Sequence, residues 1–186
     1  GTLNMISHMN FDVWLEGDYL QPLPKEAVQF GGVDFDVRGL IQLTLRSHLG
    51  PLCTQVWADF PERVEGILVR RSFARLHALM GATWAAPDDT PIATLVLHYA
   101  DGQQHECEIQ YGRHVRNWWT FDDAKPIDLG RVAWYQTNGV PEAIKTDLRL
   151  FQTSWPNPRP DVEVVSLDFV SKMTGAAPFV IGLTVE

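Results

Sequence analysis

Apolar and polar positions alternate with a period near two along most of the second half of the chain. The stretches ATLVLHYADGQQHECEIQY, RVAWYQ, IKTDLRLFQTSW, VEVVSLDFV and PFVIGLTVE are each bounded by Gly, Pro, Asn or Asp, and this pattern predicts a succession of short strands. In the last of them Phe179, Ile181, Leu183 and Val185 fall on one face, with Gly182, Thr184 and Glu186 on the other, as in a half-buried strand. The first half adds VDFDV and IQLTL, then EGILVRRSFARLHALMGATW. Phe73, Leu76 and Met80 have helical spacing, but Leu76, Ala78, Met80, Ala82 and Trp84 fit one face of a strand. The strand is favoured, because the neighbours are strands and no helix start signal precedes the stretch.

One hairpin can be assigned to register. A two-residue turn at Asp101 and Gly102 would set His98 opposite His105, a pair of potential metal ligands, but would also set Leu95, Leu97 and Tyr99 opposite Glu108, Glu106 and Gln104. A three-residue loop, Ala100 to Gly102, ends in a glycine able to take the left-handed conformation and pairs Leu95 with Cys107, Leu97 with His105 and Tyr99 with Gln103. Val96, His98, Gln104 and Glu106 then share the other face, so one side is apolar and the other polar. The second register is expected, and the histidine pair is set aside. About ten strands without intervening helices, repeats or linkers imply antiparallel sheets in a single all-β sandwich domain spanning 10–186. The opening GTLNMISHM resembles the remnant of a cleavage and cloning site, so 1–9 are expected to lie outside the native domain.

Composition narrows the partners. With 186 residues, 45% hydrophobic, the chain suffices for one sizeable core. Its 15 basic and 23 acidic residues give a net charge of -8, a repulsive field for phosphate backbones and anionic lipid, so neither nucleic acid nor an anionic membrane is an expected partner. No stretch approaches the roughly 18 uninterrupted apolar residues of a membrane helix, and no insertion in a membrane is expected. The two cysteines, Cys53 and Cys107, lack zinc or redox spacing and read as free thiols.

The aromatic residues raise the functional question. RNWW, WYQTN and SWPNPRP set tryptophans beside Asn, Arg and Pro rather than within apolar runs. Neighbours in a strand point to opposite faces, so Trp118 and Trp119 are expected either to divide between core and solvent or to lie on a loop. An indole covers the apolar C–H face of a pyranose, while Asn, Gln or Arg side chains bond its hydroxyls. Trp118, Trp119, Asn117, Arg113, Arg116, Gln136 and Asn138 have this chemistry, and Trp and Arg also dominate protein interfaces.

The series VDFDV, HALMGATW, VLHYADG, RNWW, VAWYQTN, LRLFQTSWPNPRP, VSLDFVS and APFVIGLTVE resembles the galactose-binding-like jelly-roll modules of bacterial multidomain proteins. Similar modules accompany glycoside hydrolases, sulfatases, anti-sigma (FecR-type) regulators and large envelope proteins. The likeness runs from about Val28 to Glu186, and YADG, NWW, WPNPRP and APFVIGLTVE are its most specific pieces. It implies a jelly-roll sandwich that binds carbohydrate without catalysis, at the cell envelope or outside the cell. Trp155 and Arg159 in WPNPRP join the candidate ligand residues, with the alternative that Trp155 packs over a proline-stiffened connection and Arg159 is a surface charge. Modules of this kind bind ligand in loops at one end, and many hold a structural calcium there. Asp88, Asp89, Asp122 and Asp123 could supply oxygens to calcium or could simply be turn residues. No further cofactor is implied. An enzyme is disfavoured: no GxSxG, HExxH or phosphate loop occurs, His48, His77 and His114 are scattered, and a glycosidase carboxylate pair cannot be picked out among so many acids.

Overall fold

The computed structural model describes residues 1–5, 26–46, 60–120, 123–137 and 147–186. Among these the chain is all β, with eleven strands: β1 (Glu26–Phe30), β2 (Val33–Val37), β3 (Ile41–Gln42), β4 (Arg63–Arg71), β5 (Arg75–Thr83), β6 (Pro91–Tyr99), β7 (Gln104–Gln110), β8 (Gly130–Thr137), β9 (Asp147–Pro156), β10 (Val164–Ser171) and β11 (Ala177–Val185). They form a four-stranded sheet in the order β4-β10-β6-β7, a five-stranded sheet in the order β3-β11-β5-β9-β8, and a separate β1-β2 hairpin. Every strand pairing is antiparallel. The stretch 65–84, predicted as strand, is divided between β4 and β5, and Leu76, Ala78, Met80 and Ala82 of β5 all enter the main core.

The two larger sheets make a sandwich because each turns one apolar row toward the other. From the four-stranded sheet come Ile67, Val69, Leu95, Leu97, Cys107, Ile109, Leu167 and Phe169; from the five-stranded sheet come Ala78, Met80, Phe151, Val180 and Leu183. The β6-β7 hairpin has the register read from its sequence, with Leu95 opposite Cys107 and Leu97 opposite His105. Tyr99 donates its N–H to Gln103 O at 2.9 Å, and Gly102 sits at φ +84°. Cys107 is a buried free thiol, its pKa pushed up to about 12 by burial; Cys53 lies outside the described residues.

The outer face of the five-stranded sheet carries a second core. Leu79, Leu148, Leu150, Phe179 and Ile181 meet Phe35 and Val37 of the hairpin, together with Leu40 and Trp118. This corrects the simple alternation expected for β11. A bulge between Val180 and Gly182 sets two residues opposite one, so Phe179 and Ile181 face the outer core while Leu183 and Val185 face the inner one. The whole strand is buried, as a central strand covered on both faces must be. Glycine makes room for the outer layer: a Cβ at Gly81 would overlap the Phe179 ring, and one at Gly182 would stand 3.0 Å from Phe35 Cδ1. The first residues of the chain are also packed. Thr2 bridges Thr184, Leu3 donates its N–H to Leu183 O at 2.9 Å, and Leu3 and Met5 are buried in the inner core.

Replacing Gly81 by Ala should lower the unfolding free energy by about 1–3 kcal/mol, the usual cost of overfilling a packed site. Urea denaturation checks this; an unchanged midpoint would mean that the Phe179 ring moves aside without loss.

Candidate functional site

The segment carrying the paired tryptophans fills a gap in the five-stranded sheet. Strands β5 and β9 are paired up to Met80 and Phe151, and beyond that point they separate. Residues 116–119 run between them. Trp118 donates its N–H to Ala82 O at 2.9 Å, Ala82 donates to Arg116 O at 3.3 Å, and Arg149 donates its backbone N–H to Trp118 O at 2.9 Å. Asn117 is bridged in parallel to Ala82, and Trp119 antiparallel to Leu148. The backbone groups exposed by the separation therefore find partners in this short wedge.

Trp118 is locked in the outer core, 1% exposed, edge-on to Phe179 at 5.9 Å between ring centroids. Trp119 is half-buried and packs against Trp118 at 5.2 Å with an interplanar angle of 71°. Both rings thus touch one core, because the wedge is too short and irregular to impose strict alternation. Asn117 is also half-buried, and its Oδ1 accepts the Trp119 N–H at 3.1 Å.

Arg116 is buried and acts as a tie between loops. Its guanidinium donates to Asp88 at 2.9 and 3.2 Å, to Asp123 Oδ2 at 2.8 Å and to Pro126 O at 2.8 Å. Tyr111 OH adds a bond to Asp123 Oδ2 at 2.8 Å and accepts the Asn117 N–H at 3.1 Å. The hydrogen bond from Arg116 holds the Asp88 carboxyl below its ordinary pKa. The oxygens considered for calcium at Asp88 and Asp123 thus face a guanidinium. Asp89 lies 3.7 Å from Arg113, and Asp122 is outside the described residues. Among the described residues no group of three or more His, Cys, Asp or Glu side chains is placed to hold a metal.

The other sequence candidates separate. Trp155 is 9% exposed, stacks on His114 at 5.5 Å and donates Nε1–H to Glu108 O at 3.2 Å. Arg159 grips Asp101 through two hydrogen bonds at 3.0 and 2.5 Å and lies over the Tyr99 ring. Asp101 belongs to the β6-β7 turn, whereas Asp88 and Asp89 precede β6, so the nine residues of β6, roughly 30 Å, separate Arg159 from the wedge. Asn138 lies outside the described residues. His98 and His105 do not form a site: His98 Nε2 is 2.9 Å from Asp168, and His105 lies on the opposite face.

The structure adds Trp84, which alternation alone places as the last position of a strand face. It is 41% exposed and directly follows β5 in a left-handed conformation, φ 67°. Trp84 and Trp119 each stand two residues beyond the Ala82–Asn117 bridge, at the same end of the sandwich. The signal was present in ATWAAP, an aromatic residue where the strand pattern stops before a proline turn. Trp84, Asn117 and Trp119 are therefore the candidate site. A scan of family models and a search of curated proteins gave no match.

Two buried histidines frame the pH behaviour of this end and its neighbouring strands. Burial lowers the pKa of His114, whose Nδ1 accepts the Gln110 N–H at 3.0 Å. Burial also lowers that of His77, opposed by Glu186. The unfolded chain therefore takes up these protons first: stability is full above pH 6.5 and declines as pH falls below it. Urea midpoints between pH 7.5 and 5.5 should show this decline, and the double variant His77→Asn/His114→Asn should flatten it. An equally steep decline in that variant would assign the effect to other groups.

Proposed function

We propose that this domain is a non-catalytic carbohydrate-binding module that takes a glycan at the loop end bearing Trp84, Asn117 and Trp119. The observation that carries the reading is an exposed indole and a half-buried one at the same end, the second backed by a fully enclosed third. A ring held from behind loses little freedom when a sugar stacks on it, and the neighbouring amide offers hydrogen bonds to hydroxyls. Arg113 lies near this end with its ion pair to Asp89 at a loose 3.7 Å, so its guanidinium can turn toward a ligand at little cost. The described core of two antiparallel sheets agrees with the galactose-binding-like jelly-roll resemblance, and with it we infer an envelope or extracellular setting.

A second reading has its own support. At the edge of the five-stranded sheet, β8 exposes Val132 and Tyr135, with Leu129 just before it. This apolar strip has the character of a protein contact. A bulge between Val132 and Trp134 interrupts the strand's edge, however, a common device against edge-to-edge pairing. The glycan reading is preferred for that reason.

A glycan array, followed by titration of intrinsic tryptophan fluorescence, tests the choice. Trp84→Ala and Trp119→Ala should each remain folded and weaken a saturable response at least tenfold. Trp118→Ala is unsuitable for this purpose, since emptying a buried tryptophan site costs about 3–5 kcal/mol. Silence of the wild type across a broad array would transfer the assignment to the β8 strip.

A further inference from the structure

The most unusual buried group at this end is Arg149. It sits on β9, 3% exposed, and its guanidinium donates to no carboxylate among the described residues. Its fork is instead spent on backbone. Nε donates to Asn117 O at 3.2 Å, Nη1 to Lys125 O at 3.0 Å and Nη2 to Asp123 O, while the face of the guanidinium lies over the Phe151 ring, 5.0 Å from its centroid. Its own backbone N–H holds Trp118 O. One residue thus contacts the main chain on both sides of Trp119, within the wedge and in the loop that follows it.

A cation buried against carbonyls is a costly way to hold a loop if folding alone were at stake. Three carbonyls, of Asn117, Asp123 and Lys125, converge on it. The planar guanidinium spreads five donors over a rigid fork, so its three acceptors are held at fixed, separated positions; a lysine ammonium gathers its three donors at one point on a flexible stem. Arg116, by contrast, is satisfied mainly by the carboxylates of Asp88 and Asp123 and ties one loop to another. The two arginines divide the task, Arg116 joining the loops and Arg149 shaping the backbone that bears the candidate contact residues.

We infer that Arg149 is a positioning residue of the binding site: its fork and backbone N–H hold the main chain at Asn117, Trp118, Asp123 and Lys125, and so fix the wedge that presents Asn117 and Trp119 to a ligand. The inference rests on the glycan-binding reading for its function but not for its geometry, and the two can fail separately. Preorganisation of this kind acts on affinity by sparing the loop its ordering cost at the moment of binding.

The test compares Arg149→Lys and Arg149→Met with Arg131→Lys, a control in which another arginine that holds a backbone carbonyl, Gly31 O at 2.5 Å, is altered elsewhere. Amide hydrogen exchange over 116–125 is read together with binding to galactan, arabinoxylan and methyl β-galactoside, at a temperature where melting curves show all variants folded. Both Arg149 variants should exchange at least tenfold faster across 117–120 and bind the responsive probe about tenfold more weakly, with the lysine giving no rescue, while Arg131→Lys changes neither. Unchanged exchange in both Arg149 variants overturns the inference, as does faster exchange with unchanged affinity, which would leave Arg149 a purely structural group. If the wild type binds neither these probes nor any member of a broad glycan array, the glycan reading fails, and the exchange data still decide whether Arg149 orders this backbone. Should Arg149→Met not fold, Arg149→Lys, which keeps the charge and the stem, carries the comparison.

Discussion

The organisation of this domain depends on the parting of β5 and β9 beyond Met80 and Phe151. A sheet opened near its centre leaves unpaired N–H and C=O groups inside the molecule, and buried backbone groups need partners. Here the partners come from 116–118, in the middle of the long β7-β8 connection. That insertion drives Trp118 into the outer core, places Trp119 beside Leu148, and brings Arg116 and Arg149 below the loop surface, where Asp88, Asp123 and three carbonyls satisfy them. The tryptophans are thus the apolar half of a plug whose polar half is two arginines.

The second core follows from a related constraint. The outer face of the five-stranded sheet is too apolar to face water, and Leu79, Phe179 and Ile181 are covered by the β1-β2 hairpin and Trp118. Covering it required space as well as apolar surface. Gly81 and Gly182 give up their side chains where Phe179 and Phe35 approach, and the β11 bulge lets one strand feed both cores. Arg131 secures the hairpin from β8 by donating to Gly31 O at 2.5 Å and to Gln152 Oε1 at 2.9 Å. Hairpin, sheet and Trp118 share this one outer core.

What was legible in the sequence were the features set by local alternation. The β6-β7 register followed from matching apolar with apolar across a glycine-ended loop, and β5 followed from its row of Leu76, Ala78, Met80 and Ala82. The β11 assignment failed from the bulge onward: the face expected to hold Phe179, Ile181, Leu183 and Val185 together is split between two cores, because a bulge is decided by what the neighbouring strands require. The site was less legible for a similar reason. Arg116 and Arg159 look alike in sequence, as arginines near tryptophan and asparagine, but one is buried between two aspartates and the other lies at the far end on Asp101. Only long-range contacts, 28 residues for Arg116 with Asp88 and 58 for Arg159 with Asp101, separate these roles.

The same reasoning bears on what an aromatic-rich stretch means. Adjacent tryptophans among polar residues suggest a ligand face, yet Trp118 and Trp155 are both occupied internally, one by Phe179 and Trp119, the other by His114 and the Glu108 carbonyl. Their burial does not weaken the case for a site at this end, because stacking on a sugar gains most from a ring that is already immobile. Trp119 gains its support from Trp118, and the wedge gains its support from Arg149. An exposed ring on a free loop would lose its ordering entropy at each encounter. Here most of that loss is taken during folding, and Trp119 stands half-buried in a hydrogen-bonded frame.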